Sequence, residues 1–203
     1  MRKRKTQAPC PRCYLHKRLC VCAAIPRLEL RTRVSLIVHA RELKRTTNTG
    51  RLAIESLVNS EMIVRGADRV PLDLSRLISD EYESVLFFPA DDAVELSEYC
   101  RGSDSERRPL HLIVPDGNWR QASKVGIRHR ELSELRRVKI SAVNTAQFHL
   151  RAESSPEGMS TLEAIARAMA IVEGDEAAAP LLALYQAKLN ATLIGRGVLR
   201  GPE

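Results

Sequence analysis

The stretch Leu110-His-Leu-Ile-Val-Pro-Asp-Gly-Asn-Trp119 opens as an apolar run and breaks into a turn. A short apolar run bounded by turn residues marks a strand buried on both faces. Pro115 is expected to end that strand, with Asp116-Gly117 turning the chain behind it. Working outward, the same pattern recurs at Val34–His39, at Ser84–Phe88 before Pro89, and more briefly at Met62–Arg65 and Val138–Ile140. Helical spacing separates these runs. Leu52, Ala53, Ser56, Leu57 and Ser60 share one face, as do Ala93, Leu96 and Cys100 within Asp91–Cys100. A short helix is expected from Asn118 to Gly126. Ser160-Thr-Leu-Glu163 is a capping-box signature, with Ile165, Ala166, Met169 and Val172 behind it. A last helix carries Leu181, Tyr185, Leu189 and Leu193, and Glu173–Ala179 reads as the turn before it. Strands alternating with helices predict an α/β fold, a parallel sheet with helices on both faces. Ligands of such sheets bind beyond the carboxyl ends of the strands. The loops after His39, Phe88, Val114 and Ile140 are therefore where chemistry is expected.

Ahead of the sheet stand Cys10, Cys13, Cys20 and Cys22. Two closely spaced thiol pairs can close a tetrahedral metal site, and the metal would supply folding energy to a short polar segment. Zinc is the expected ion; an iron–sulfur cluster and two disulfides are the other readings. Cys100 reads as structural. The chain of 203 residues carries a net charge of +7. Much of that charge lies near the cysteines, at Arg2, Lys3, Arg4, Lys5, Arg12, Lys17 and Arg18. Basic residues around a metal site suit a phosphate backbone, although residues 2–5 alone read equally as a solubilising tail. Aromatics are 4% of the chain, too few for an extended base-stacking platform. The expected division is a basic, zinc-binding four-cysteine segment at 1–30 and a catalytic domain at 31–203. No run approaches the roughly 18 apolar residues of a membrane span. The N-terminus resembles no secretory signal, so a cytoplasmic protein is expected.

The strand-end loops leave their roles open. Asp116 with Gly117 would let backbone approach a ligand closely, or would simply form a turn with Trp119 as packing anchor. Thr47, Asn48, Thr49 and Arg51 offer hydroxyls, an amide and a guanidinium near a helix start, suited to an anionic ligand or to a polar helix entry. Glycine-rich dinucleotide and phosphate-loop motifs are absent.

Taken in order, six pieces resemble the DTW-domain proteins, which are tRNA-uridine aminocarboxypropyltransferases. They are Cys10-x-x-Cys13 with Cys20-x-Cys22; Thr47-Asn-Thr-Gly-Arg-Leu-Ala53; Phe88-Pro-Ala90; Asp116-Gly-Asn-Trp119-x-x-Ala-x-Lys124; Phe148-x-Leu-Arg151; and Met159-Ser-Thr-Leu-Glu-Ala164. The sequence departs from the family at Asn118, where Thr is usual, and at Met159, where Leu is common.

The resemblance implies a SPOUT-like fold with a C-terminal trefoil knot. It implies S-adenosylmethionine lying across the loops after Phe88, Val114 and Ile140. The residues so implied for it are Phe88, Pro89, Ala90, Val114, Pro115, Gly117, Asn118, Trp119, Ser160, Thr161 and Leu162. The implied reaction moves the 3-amino-3-carboxypropyl group to N3 of a tRNA uridine. Asp116 is the expected proton acceptor. Thr47, Asn48, Thr49, Arg51 and Arg151 are expected to hold substrate, with Arg51 or Arg151 on its carboxylate. The cysteine segment, with structural zinc, is expected to hold tRNA. The residues name no protein partner and are compatible with a monomer. An RNA methyltransferase of the same broad fold and a non-catalytic zinc-ribbon RNA-binding protein are the alternatives.

Overall fold

The computed structural model describes residues 8–67, 72–101, 108–141, 150 and 158–200. Six strands form one sheet: β1 (Arg33–His39), β2 (Ser60–Arg65), β3 (Glu83–Phe87), β4 (Val94–Glu95), β5 (Leu110–Asp116) and β6 (Arg137–Lys139). Their spatial order is β2-β1-β5-β3-β6-β4, and every pairing is parallel. The helices are α1 (Gly50–Ser56), α2 (Leu96–Arg101), α3 (Trp119–Ala122), α4 (Val125–Arg128), α5 (Thr161–Val172) and α6 (Asp175–Gly195).

All of β5 is buried. Its side chains alternate between two cores, as the pleat requires. Leu112 and Val114 join Val34, Leu36 and Val38 against residues of α1, α5 and α6. On the other face Ile113 joins Ile37, Ile63 and Leu86 against Leu74, Leu77, Val125 and Leu132. Cys10, Cys13, Leu15 and Val21 belong to the first core, so the cysteine segment packs on the sheet domain.

The structure departs from the sequence expectations in several places. Pro115 does not end β5, because Ile37 pairs with Pro115 and Val38 with Asp116. Pairing to β3 ends earlier, at Leu86 with Ile113, so β3 requires no ladder bond of the proline. Helix α1 stops at Ser56 instead of running on to Ser60. The Ser60 hydroxyl donates to the carbonyls of Ile54 and Leu57 at 2.9 and 2.7 Å, closing the helix as β2 begins. Within Asp91–Cys100, Val94–Glu95 pairs with β6 before α2 starts. Arg137 holds Asp92, and Glu95 accepts from the Ser141 amide at 3.1 Å, which ties this segment to the sheet edge. Asn118–Gly126 forms two short helices, α3 and α4, rather than one.

The turn between the last helices is shorter than expected. Gly174, with φ of 98°, ends α5, and α6 begins at once with Asp175. The alanines of Glu173–Ala179 extend the helix because alanine is its best former. The segment joining β6 to α5 falls mostly outside the described residues, and with it the path of the implied knot. No helix among the described residues is long and apolar enough to cross a membrane.

His111 crosses the second core as a buried polar link. Its ring nitrogens lie 3.0 Å from the Leu77 carbonyl and 2.8 Å from the Ser35 hydroxyl. A carbonyl only accepts, so the Leu77 contact calls for the proton on Nδ1, and Nε2 then competes with Glu61 Oε1, 3.0 Å from the Ser35 hydroxyl, for that hydroxyl's single proton. Burial, reinforced by Arg33, pushes the His111 pKa down from 6.5 to about 4. The unfolded chain therefore binds a proton that the native chain refuses between those values. Stability should fall as pH drops through that window, by on the order of 3 kcal/mol for this group. His111→Gln should remove that part of the pH dependence, read from urea midpoints of wild type and variant between pH 7 and 4.

Candidate active site and metal centre

Asp116 follows Leu112 and Val114 in the alternation of β5 and points to the α1–α5 side. The residue is 7% exposed. Asn48 Nδ2 donates to Oδ2 at 2.8 Å, and the Thr161 hydroxyl donates to Oδ1 at 2.6 Å. The Asn48 carbonyl in turn accepts the Arg51 amide at 3.3 Å, in the first turn of α1. Thr49 Oγ1 accepts the Leu162 amide at 3.1 Å, in the first turn of α5. The early amides of a helix have no partner within it; here each helix start is satisfied by the loop that carries Asn48 and Thr49. A methyl at Gly50 would sit 2.8 Å from Leu36 Cδ2 and 3.1 Å from Asp116 Oδ2, so the bare backbone admits this approach.

The capping box predicted at Ser160 is half formed. Ser160 Oγ accepts the Glu163 amide at 3.3 Å, while the Glu163 carboxylate turns to Arg167 at 3.0 Å. The full reciprocal box stands instead at Asn118 and Gln121, with both bonds at 2.9 Å. Asn118 thus starts α3 and sets the position of Trp119. The Trp119 ring lies 4.9 Å from that of Phe88 and is 57% exposed. Together with Pro89, Ala90, Ile127 and Arg137 these rings line a cleft of about 340 Å³. This cleft lies on the α3–α4 side of the sheet, opposite to the Asp116 carboxylate.

The residues predicted for cofactor therefore divide. Phe88, Pro89, Ala90 and Trp119 line the cleft. Val114 and Leu162 are interior and pack the first core, so only their backbone is available to a ligand. Thr161 is joined to Asp116. Among the residues predicted for substrate, Asn48 and Thr49 are buried in the Asp116 network, and Thr47 is half-buried beside them. Arg51 is engaged elsewhere. Its Nη1 donates to the carbonyls of Pro11 and Arg12 at 3.3 and 3.0 Å, and its guanidinium lies 4.5 Å over the Tyr14 ring. It holds the cysteine segment rather than facing the strand ends. Arg151 and the basic residues 2–5 lie outside the described residues. Arg12 pairs with Glu55 at 2.7 Å, and Lys17 and Arg18 are exposed.

The four N-terminal cysteines are free thiols gathered at one point. All four sulfurs lie within 4.8 Å of one another, with separations of 3.5 Å (Cys10–Cys20), 3.6 Å (Cys10–Cys22) and 3.8 Å (Cys13–Cys20). Zinc–sulfur bonds of about 2.3 Å imply tetrahedral edges of about 3.8 Å, so the donor set fits such an ion. The thiols shift against one another: Cys10 is pushed down to about 6, first by the Cys13 backbone amide, while Cys20 is pushed up and Cys22 is pushed up, first by burial.

One anchor of this segment was not foreseen. Lys188 of α6 is fully buried, and its Nζ donates to the Cys13 carbonyl at 2.7 Å. Its spacing from Leu181 and Leu184 placed it on the buried face of the helix, and that was the available signal.

The DTW domain family model matches residues 7–193. The chain belongs to the DTW domain family. It is similar to tRNA-uridine aminocarboxypropyltransferase 2 of Drosophila melanogaster, 28% identical over 81% of this chain and 66% of the relative. It is also similar to the proteins of the same name from Macaca fascicularis, 24% identical over 83% of this chain and 58% of the relative, and from Mus musculus, 25% identical over 81% and 56%. The chain thus spans somewhat under two thirds of the length of these curated relatives. Among solved structures, the SAM-dependent rRNA:acp-transferase Tsr3 from Vulcanisaeta distributa overlays with a TM-score of 0.45 and 19% identity, covering 81% of this chain and 79% of that one.

The Asp116 network makes a prediction about stability. Thr161→Val removes one hydrogen bond to a buried carboxylate. The loss should be roughly 1.5–3 kcal/mol, the range for bonds to charged groups. Urea unfolding of the variant measures it, and a change within a few tenths of wild type would show that Asp116 does not depend on this donor.

Proposed function

We propose that the chain transfers the 3-amino-3-carboxypropyl group of S-adenosylmethionine to N3 of a tRNA uridine and releases 5′-methylthioadenosine. Family membership and the names of the relatives support the reaction class. The observation that carries the site is Asp116: a nearly buried carboxylate at the carboxyl end of the central strand, aimed by two donors from distant segments. Uridine N3 is a weak nucleophile while it keeps its proton. Asp116 accepts that proton as the new N3–carbon bond forms and the carbon–sulfur bond breaks. The sulfonium leaves as a neutral thioether, so the protein's main task is to position the partners.

Phe88, Pro89, Ala90 and Trp119 offer the adenosine portion an apolar, aromatic wall. Arg51 is committed to the cysteine segment, which leaves Arg151 as the candidate fork for the substrate carboxylate. Cys10, Cys13, Cys20 and Cys22 hold one zinc ion with no open position, a structural site without catalytic function. The basic residues of that segment, Arg12, Lys17 and Arg18 together with Arg2, Lys3, Arg4 and Lys5, supply phosphate contacts to tRNA.

Asp116→Asn tests the proton acceptor. Asparagine can keep the geometry: its carbonyl accepts from Asn48, and its amide donates to Thr161 once that hydroxyl turns. The fold and the affinity for S-adenosylmethionine should persist while single-turnover transfer falls by roughly 10²–10⁴-fold, the usual worth of a general base. Near-wild-type transfer would leave Asp116 a purely structural residue. The mass of the modified nucleoside checks the group transferred, because a methyl product would replace this reading with a methyltransferase.

Metal analysis checks the cysteine site separately. Purified protein should contain about one equivalent of zinc, and Cys13→Ser should lose it. A fully active, metal-free wild type would remove the metal from the account.

A further inference from the structure

Arg65 closes β2 beside His39, its register partner at the end of β1. His39 and Arg65 follow Ile37 and Ile63 in the strand alternation, so both face the α3–α4 side, the side of the Phe88–Trp119 cleft. Arg65 is 8% exposed, yet among the described residues it has no carboxylate partner. Its Nη2 donates to the Gln121 carbonyl at the end of α3, and its Nε is buried without a partner. A guanidinium so placed is costly unless an anion completes it.

The surroundings add positive charge. Arg128 ends α4 and Arg41 follows His39; both are exposed, and neither is ion-paired among the described residues. His39 Nδ1 accepts the Arg41 amide at 3.2 Å, so the neutral ring keeps its proton on Nε2 as a donor. Gly66, at φ of 71°, turns the chain immediately after Arg65 and has no side chain to cover the group. A methyl there would come within 3.2 Å of His39 Nε2.

We infer that Arg65, His39, Arg41 and Arg128 form a binding site for a phosphodiester of the RNA substrate, beside the aromatic cleft and on the sheet face opposite to the cysteine segment. The inference rests on the tRNA reading above. It adds a second anchoring surface, built into the sheet edge rather than into the basic N-terminus. Arg65 supplies the fixed fork and His39 a neutral donor. Arg41 and Arg128 reach the same anion from the rim, in the way positively charged side chains set the register of a nucleic acid. Its electrostatics agree. Burial first, then Arg128, lowers the Arg65 pKa. Burial, Arg65 and Arg41 lower that of His39, with Arg128 adding to them and Glu42 opposing. An arriving phosphate would relieve both.

The test is binding of unmodified tRNA transcript across a salt series, with S-adenosylmethionine affinity measured alongside by calorimetry. The variants are the exposed pair Arg41→Gln with Arg128→Gln, and separately Arg65→Gln, each checked by thermal melting. The exposed pair keeps the test open should Arg65→Gln not fold. The paired variant should bind tRNA roughly tenfold more weakly, with a salt slope shallower by about 1–2. Its affinity for S-adenosylmethionine should not change. A folded variant with wild-type affinity and slope overturns the inference. So does weakened S-adenosylmethionine binding with an unchanged tRNA slope, which would make the cluster the seat of that molecule's carboxylate. If wild type itself binds no tRNA at any salt, the tRNA reading falls, and this inference with it. Wild-type binding with unchanged variants removes this inference alone.

Discussion

A carboxylate withdrawn from water at a strand end needs donors on both oxygens. Asp116 obtains them from Asn48 and from Thr161, residues 68 and 45 positions away in the chain. That requirement organises the molecule around β5. The loop after β1 starts beside the end of β5, because Val38 of β1 pairs with Asp116, and it returns there through Asn48. The start of α5 must arrive at the same point, and Thr49 meets it there by accepting the Leu162 amide. One buried charge thus joins the carboxyl ends of two strands to the amino ends of two helices. Its surroundings are preorganised before any ligand arrives, as electrostatic catalysis requires.

The cysteine segment is held by a related logic. Four thiolates around a divalent ion would leave a net negative site, and the cations that approach it come from the sheet domain. Lys188 reaches the Cys13 carbonyl from α6, and Arg51 reaches the Pro11 and Arg12 carbonyls from α1. Each donates to backbone between or beside the ligands, which fixes the loop without competing for sulfur. Arg51 therefore touches two systems at once. Its amide is bound by Asn48, in the Asp116 network, and its guanidinium binds the cysteine loop. The cysteine segment and the candidate catalytic carboxylate are thus linked through two residues, Asn48 and Arg51.

The sheet was legible in the sequence because each central strand is a short apolar run with a turn signal behind it. Which strands pair, and in what register, was not legible: runs buried on both faces carry no alternation to fix it, and the pairing of Val34 with Leu112 came from the structure. The edges were harder. Val94–Glu95 carries no strand signature of its own; it is extended because β6 presents an open edge and Arg137 holds Asp92. Glu173–Ala179 looked like a turn because acids and a glycine open it, yet alanine propensity wins once Gly174 supplies the break. At the site, the motif around Asp116 stood out, but its partners did not. Asn48 and Thr161 belong to motifs far apart in sequence, and nothing local says that they meet. Lys188 and Arg65 share the same difficulty. A buried cation among apolar neighbours reads as a surface residue until the fold closes over it.

Alternation along β5 has one further consequence. Asp116 faces α1 and α5, while Trp119 and Phe88 stand on the opposite side. Any molecule that touches both must cross the strand end at Gly117. There φ is 154°, and a methyl would come within 2.8 Å of the Gln121 side-chain oxygen. Gln121 cannot retreat freely, because its side-chain carbonyl accepts the Asn118 amide and its own backbone amide is capped by Asn118. The strand end between the two faces is therefore bare at Gly117 and bounded by the Asn118–Gln121 capping box. The proposed reaction would have to bring its two partners together at this strand end. The choice of carbon at the sulfonium then becomes a matter of how far the cofactor reaches across Gly117, because only the group delivered to the Asp116 side finds an acceptor whose proton can leave.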